Sequence, residues 1–130
     1  MIDCENEVYT KVAQALRTAH SGINITGDYT NVPSSFPHVC ITQIDSVKVR
    51  YDSDEGEMTE VTFKAEIYSN AKSGKKTEAK KIARTVDEAF RKMNFRRMSL
   101  NPIPNTDDPT IYRLVGAYEA KTDGTFFYRS

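Results

Sequence analysis

Residues 76–93 read Lys76-Thr77-Glu78-Ala79-Lys80-Lys81-Ile82-Ala83-Arg84-Thr85-Val86-Asp87-Glu88-Ala89-Phe90-Arg91-Lys92-Met93. Ala79, Ile82, Ala83, Val86, Ala89, Phe90 and Met93 recur at steps of three and four, filling an arc of about 120° when each residue turns the helix by 100°. That is the width of a core-facing stripe, so the stretch predicts a packed helix. Lys80, Lys81, Arg84, Arg91 and Lys92 lie on its other side. Asp87 stands four residues before Arg91 and Glu88 four before Lys92, the favourable order for helical ion pairs. Ser73 and Thr77 are both candidate caps. Nothing on this helix is catalytic equipment.

Working upstream, the period falls from 3.6 to two. Val61, Phe63, Ala65 and Ile67 alternate with Thr62, Lys64, Glu66 and Tyr68, which predicts a strand with one packed and one polar face, as in an antiparallel sheet. Before it, Val39, Ile41, Val47, Val49 and Tyr51 share one parity, broken only by Gln43 and Asp45, as in a long or bulged strand. The polar tip Asp52-Ser53-Asp54-Glu55-Gly56-Glu57 joins the two. At about 3.3 Å per residue such strands reach roughly 40 Å, beyond what the helices of a small domain cover, so the tip is expected to project as an acidic arm.

A first helix is expected from about Cys4 to His20, with Asp3 as cap, the stripe Val8, Val12, Ala15, Leu16 and Ala19, and Gly22 as terminator. The stretch that follows is rich in Gly, Pro and Ser, with Ile23 and Ile25 suited to a short edge strand; its length suggests a binding role. Downstream of the central helix, 95–100 and 111–121 read as strands, the second with Tyr112, Leu114, Gly116, Tyr118 and Ala120 on one side. Thr122-Asp123-Gly124-Thr125 predicts a hairpin turn with positive φ at both central residues, and Phe126, Phe127 and Tyr128 return along the sheet. Consecutive aromatics point to opposite faces, which exposes part of this strand unless a neighbouring subunit covers it. The order α, β, β, α, β, β, β gives a single α+β domain over 1–130: an antiparallel sheet, two helices on one face and a long projecting hairpin.

The 130 residues carry 18 basic and 18 acidic side chains, but unevenly. Residues 1–71 hold 5 basic and 11 acidic (5 − 11 = −6), 72–97 hold 10 and 3 (+7), and 98–130 hold 3 and 4 (−1). Segregation of this kind suggests either an anionic partner for the helix or self-association of unlike surfaces. The chain has no apolar run long enough to span a membrane, and Met1-Ile2-Asp3-Cys4-Glu5 lacks a secretory layout, so a cytosolic protein is expected. Cys4 and Cys40 have neither disulfide-framework nor zinc spacing and are expected to be buried free thiols.

No constellation of reactive residues emerges. Residues 69–76 follow a strand and open a helix with Gly74-Lys75, but a phosphate-binding loop needs glycine where Ser69 stands and a hydroxyl where Lys76 stands. His38 near Ser34 and Ser35 lacks an orienting third group, Asp107 and Asp108 read as turn formers, and His20, His38, Cys4 and Cys40 lack local ligand spacing. No catalytic, cofactor-binding or metal residue is therefore assigned. The basic residues of 72–97 offer one alternative, direct nucleic-acid binding, but they are scattered around the helix of a neutral chain.

The entry Pro33-Ser34-Ser35-Phe36-Pro37-His38-Val39-Cys40-Ile41, the alternating 60–68, the amphipathic helix and the late strand Ile111-Tyr112-Arg113-Leu114-Val115-Gly116-Ala117-Tyr118-Glu119-Ala120 together resemble the tail terminator proteins of tailed bacteriophages. The likeness spans nearly the whole chain. It implies a structural virion protein without cofactor. Its homo-oligomeric ring, usually of six copies, would cap the tail tube at the tail–head junction, contact the tube protein and head connector, and pass DNA only through its lumen. A neck or head–tail adaptor component is the related alternative. Subunit contacts are then expected at Asp52, Asp54, Glu55 and Glu57 on the arm, Lys80 and Arg84 on the helix, and Phe126.

Overall fold

The computed structural model describes residues 2–28, 33, 35–52, 56–106 and 108–129. Among them, α1 (Glu5–Ala19), β1 (Asn24–Thr26), β2 (His38–Asp52), β3 (Gly56–Ser69), α2 (Lys75–Lys92), β4 (Arg96–Pro102), β5 (Tyr112–Thr122) and β6 (Phe127–Tyr128) follow in chain order. The sheet runs β1-β2-β3-β5-β4, with β6 paired to the end of β5. It is antiparallel except at one edge, where β1 lies parallel to β2 over three residues.

The predicted alternation decides which side the helices cover. Val39, Ile41, Val61, Phe63, Ala65, Ile67, Leu114, Tyr118 and Ala120 bury against Val8, Val12 and Leu16 of α1 and Ala79, Ile82, Ala83, Val86 and Phe90 of α2. At the centre the rings of Phe90 and Tyr118 stack with centroids 4.2 Å apart. Burying a side chain such as Phe90 or Ile67 contributes about 1.5–3 kcal/mol, so this layer dominates folding. Gly116 lies in close approach to its neighbours: a Cβ there would stand 3.1 Å from the Tyr118 ring and 3.2 Å from Leu100, so those side chains would have to yield by a few tenths of an ångström.

Local details depart from the sequence reading. In α1 the buried alanine is Ala13, while Ala15 is half-buried and Ala19 exposed. Cys4 occupies the N-cap position and Asp3 instead accepts the Glu5 N–H at 3.3 Å. Neither Ser73 nor Thr77 caps α2: Gly74, at φ +77°, turns the chain into the helix with no side-chain cap. The expected pairs from Asp87 to Arg91 and Glu88 to Lys92 give way to Glu88 with Arg91 at 2.6 Å and Asp87 with Arg97 at 3.5 Å. Only Gly124 of the Asp123-Gly124 turn has positive φ, because the Asp123 carboxylate accepts the N–H groups of Thr125 and Phe126 and shapes the turn from its side chain.

The largest correction concerns β2. Sequence parity groups Val47 with Val39 and Ile41, yet a register shift between Gln43 and Asp45 pairs Val47 with Glu60 on the side away from the helices. A second shift, between Lys48 and Arg50, leaves Val49 out of the ladder. One inserted residue reverses the facing of everything beyond it. The hairpin itself is as expected. Arg50, Tyr51 and Asp52 pair with Met58, Glu57 and Gly56, three rows beyond Thr59–Thr122, the last row shared with β5.

Candidate functional site

The helices cover β2, β3 and β5 but leave the same side of β4 open, and a groove of about 540 Å³ runs between α2 and β4. Its floor is Ala83, Leu100, Pro102, Tyr112 and Leu114; its rim is Lys80, Arg84, Asp87, Glu88 and Arg97. Asp87 accepts from the Tyr118 hydroxyl at 3.3 Å and pairs with Arg97. Burial, then the Asp87 carboxylate, pushes the Tyr118 phenol well above its ordinary range. Glu88 pairs with Arg91, whose guanidinium holds the carboxyl below its usual value. Lys80 and Arg84, four residues apart and therefore on one helical edge, make no ion pair among the described residues. The groove thus presents an apolar floor beside two uncompensated cations, chemistry suited to an apolar and acidic chain segment.

The arm that carries the acids stands elsewhere. Lys80 borders Tyr112 and Leu114, whereas the hairpin projects past Thr122, eight residues along β5 from Leu114, or about 26 Å at strand spacing. Of the expected arm acids, Asp54 and Glu55 lie outside the described residues and only the backbone of Asp52 is described. Glu57 accepts the Thr59 hydroxyl at 2.7 Å, which holds its carboxyl below the usual value. Phe126, 62% exposed, sits in the β5–β6 turn at the hairpin's end of the sheet. The described ones among the seven expected residues therefore fall into two groups, Asp52 by its backbone, Glu57 and Phe126 at the hairpin's end and Lys80 and Arg84 at the groove. One copy does not bring them together.

The sheet face away from the helices holds what the sequence reading missed. Glu66 and Tyr68, expected to point outward on the polar face, are 0% and 1% exposed. Arg113 of β5 donates to Glu66 Oε2 through Nε at 3.1 Å and also through its terminal nitrogen, and Lys64 Nζ lies 3.4 Å from Oε1. The Tyr68 hydroxyl donates to Glu66 at 3.0 Å, and burial pushes its proton affinity far up. Beside this cluster the Cys40 thiol donates to the Asp28 carbonyl at 2.9 Å and His38 Nε2 meets the Thr26 hydroxyl at 3.0 Å. Burial lowers the pKa of His38 and raises that of Cys40. The one available signal was pairing across strands: Tyr68 faces Arg113 in register, and an arginine over a tyrosine beside a glutamate is a self-contained cluster.

Other candidates resolve into structural parts. Lys75 of the tested phosphate loop donates to the Thr110 carbonyl at 3.1 Å, Asp108 accepts from Thr110 as a turn former, and His20 meets Thr85 at 2.8 Å, tying α1 to α2. Asp107 and Ser34 lie outside the described residues. Cys4 and Cys40 are both buried free thiols, and burial pushes Cys4 up to about 11. Among the described residues no three His, Cys, Asp or Glu side chains converge to hold a metal ion, and no helix is long and apolar enough to cross a membrane. Comparison with protein families and with curated proteins finds no match to this chain.

Proposed function

We propose that this protein is a structural subunit of a tailed bacteriophage, assembling as a homo-oligomeric ring of the six-copy kind that caps the tail tube and offers the head-joining surface. The observation that carries this reading is the separation just described: the hairpin's end of the sheet, with Glu57, lies about 26 Å along β5 from an apolar groove edged by Lys80 and Arg84. Two unlike surfaces on one molecule form a heterologous contact, which generates either a closed ring or an open filament. A ring is what a tube needs at its end, because tube subunits add through a contact with no intrinsic stop. The cap matches the tube on one side and withholds the tube's own surface on the other. In this reading DNA passes through the lumen, the protein works at the tail–head junction without a cofactor, and it performs no catalysis.

The test is a phage with an early stop codon in this gene. Its lysate should contain DNA-filled heads beside tails that are overlong or unjoined, as seen by electron microscopy; empty heads beside normal free tails indicate a head-side role, and normal virions sink the assignment. In purified protein, reversing Asp54, Glu55 and Glu57 to lysine should weaken assembly, and reversing Lys80 and Arg84 to glutamate in the same chain should partly restore it. Assembly of the triple variant like that of the wild type would break the arm-to-groove pairing.

A further inference from the structure

Among the described residues β4 has a neighbour on one side only, and no helix covers it: six of its seven residues are exposed and Leu100 is half-buried. Which backbone groups its outer edge offers follows from one hydrogen bond. Just beyond the strand the Ile103 N–H donates to the Arg113 carbonyl at 3.0 Å, so Ile103, and by alternation Asn101 and Ser99, turn their N–H and C=O groups toward β5. Leu100 therefore turns both of its groups outward. It faces Gly116 in a row without ladder bonds, where strands come closest, in keeping with its side chain standing 3.2 Å from a Cβ placed on that glycine. Pro102 turns only a carbonyl outward, having no N–H. The register shift between Arg97 and Ser99 breaks the row on the other side. Around Leu100 the open ladder is thus one donor and two acceptors long, enough for a short extended peptide and too short to join another sheet along its length.

We propose that this edge takes an extended segment of a partner protein as an added strand, with an apolar side chain over the groove and a carboxylate two residues from it. A residue opposite Leu100 exchanges both backbone bonds with it and sends its side chain to the same face, where the groove opens. The floor there leaves apolar surface to cover: Leu100 and Tyr112 are half-buried and Pro102 is exposed. Helix direction sets the place of the carboxylate. Lys75 meets the Thr110 carbonyl and Asp87 the Tyr118 hydroxyl, so α2 and β5 run side by side in the same direction, and Lys80 stands nearer the Tyr112 end. β4 is antiparallel to β5, which brings Pro102 to that end. A peptide side chain two residues from the partner of Leu100, about 6.6 Å along the strand, then reaches Lys80 and Arg84, which make no ion pair among the described residues. At the other end Asp87 and Arg97 satisfy each other at 3.5 Å. Backbone groups, apolar floor and charge call for the same occupant.

This inference goes beyond the ring reading and does not rest on it. The probe is a fluorescently labelled eight-residue peptide with blocked ends, leucine and glutamate two residues apart at its middle and threonine elsewhere, followed by anisotropy. The receptor is the triple variant Asp54→Lys, Glu55→Lys and Glu57→Lys, whose groove is free whether or not an arm fills it in the wild type. Saturable binding is expected, and adding Lys80→Glu with Arg84→Glu should weaken it about tenfold or more. Methylating the peptide's leucine nitrogen removes the bond to the Leu100 carbonyl and should weaken binding about fivefold, whereas methylating the threonine between leucine and glutamate, whose N–H points away, should change it less than about twofold. Circular dichroism checks that each variant is folded, and Lys80→Gln with Arg84→Gln replaces the charge reversal if that unfolds the helix. Equal effects of the two methylations overturn strand addition. Charge reversal without loss overturns the seat at Lys80 and Arg84. No binding up to about 0.1 mM folded receptor overturns the proposal whole. None of these outcomes bears on the ring, which stands or falls with the phage lysate.

Discussion

The two faces of this sheet are made by the same strands yet filled by opposite chemistry. On the helix side, alternate residues of β3 and β5 bury Phe63, Ile67, Leu114 and Tyr118 against Phe90 and Ile82. On the other side the intervening residues bury a carboxylate, Glu66, with Arg113, Tyr68 and Lys64 around it. The first face gains by excluding water from apolar surface, where nearly any well-sized hydrophobe serves. The second must have every partner in place, because a buried charge without its mate costs more than the pair contributes. One face supplies stability; the other ties β3 to β5 through Glu66 and Arg113.

The largest break in that comparison comes from the apolar face. Phe90→Ala should lower unfolding free energy by about 3–5 kcal/mol, the usual cost of a deleted buried aromatic. A loss under about 1 kcal/mol in urea titration would show that the stack with Tyr118 is not the core. Next is the polar face, where Arg113→Ala strands Glu66. The expected loss is about 2 kcal/mol, below the range for a fully enclosed pair, because solvent reaches Arg113 and Lys64 stands near. Adding Glu66→Gln to Arg113→Ala should lose less than Arg113→Ala alone; equal losses would mean the arginine acts by packing only.

The smallest effect is one of pH. Burial lowers the His38 pKa from its ordinary 6.5, so as pH falls through that value the unfolded chain takes up the proton first. The stabilisation from neutral His38 is complete above about pH 6.5 and declines as pH drops toward the lower folded value. His38→Gln should therefore show a shallower fall in melting midpoint between pH 7 and 5 than the wild type does. Parallel curves would remove His38 from the account.

Residues that obey a period were legible, and residues set by a neighbour were not. The stripe of α2 and the alternation of 61–68 reveal the apolar face because side-chain direction repeats every 3.6 or two residues. Val47 and Val49 mislead because a bulge changes facing without changing sequence parity. Glu66 reads as outward and polar from its strand alone; only the placement of β5 beside β3, which brings Arg113 opposite Tyr68, shows its burial. For the candidate site, Lys80 and Arg84 were visible on the polar side of the helix. The groove floor was not, since Leu100, Pro102, Tyr112 and Leu114 converge only through the order of the last strands.

That order also governs the nascent chain. β4 is made before β5, yet among the described residues its sole neighbour in the sheet is β5, and β5 also closes the open side of β3, as in the pairing of Ile67 with Leu114 across 114 − 67 = 47 residues. While the ribosome is translating residues 103–111, the β2–β3 hairpin is complete but one long side of β3 has nothing to bind, and β4 has no strand to join. Closing so long a loop is slow relative to forming the hairpin. The vulnerable edge during synthesis is thus one that the finished molecule hides in its centre, and crowded polysomes carrying many such chains expose it to sideways pairing before β5 arrives.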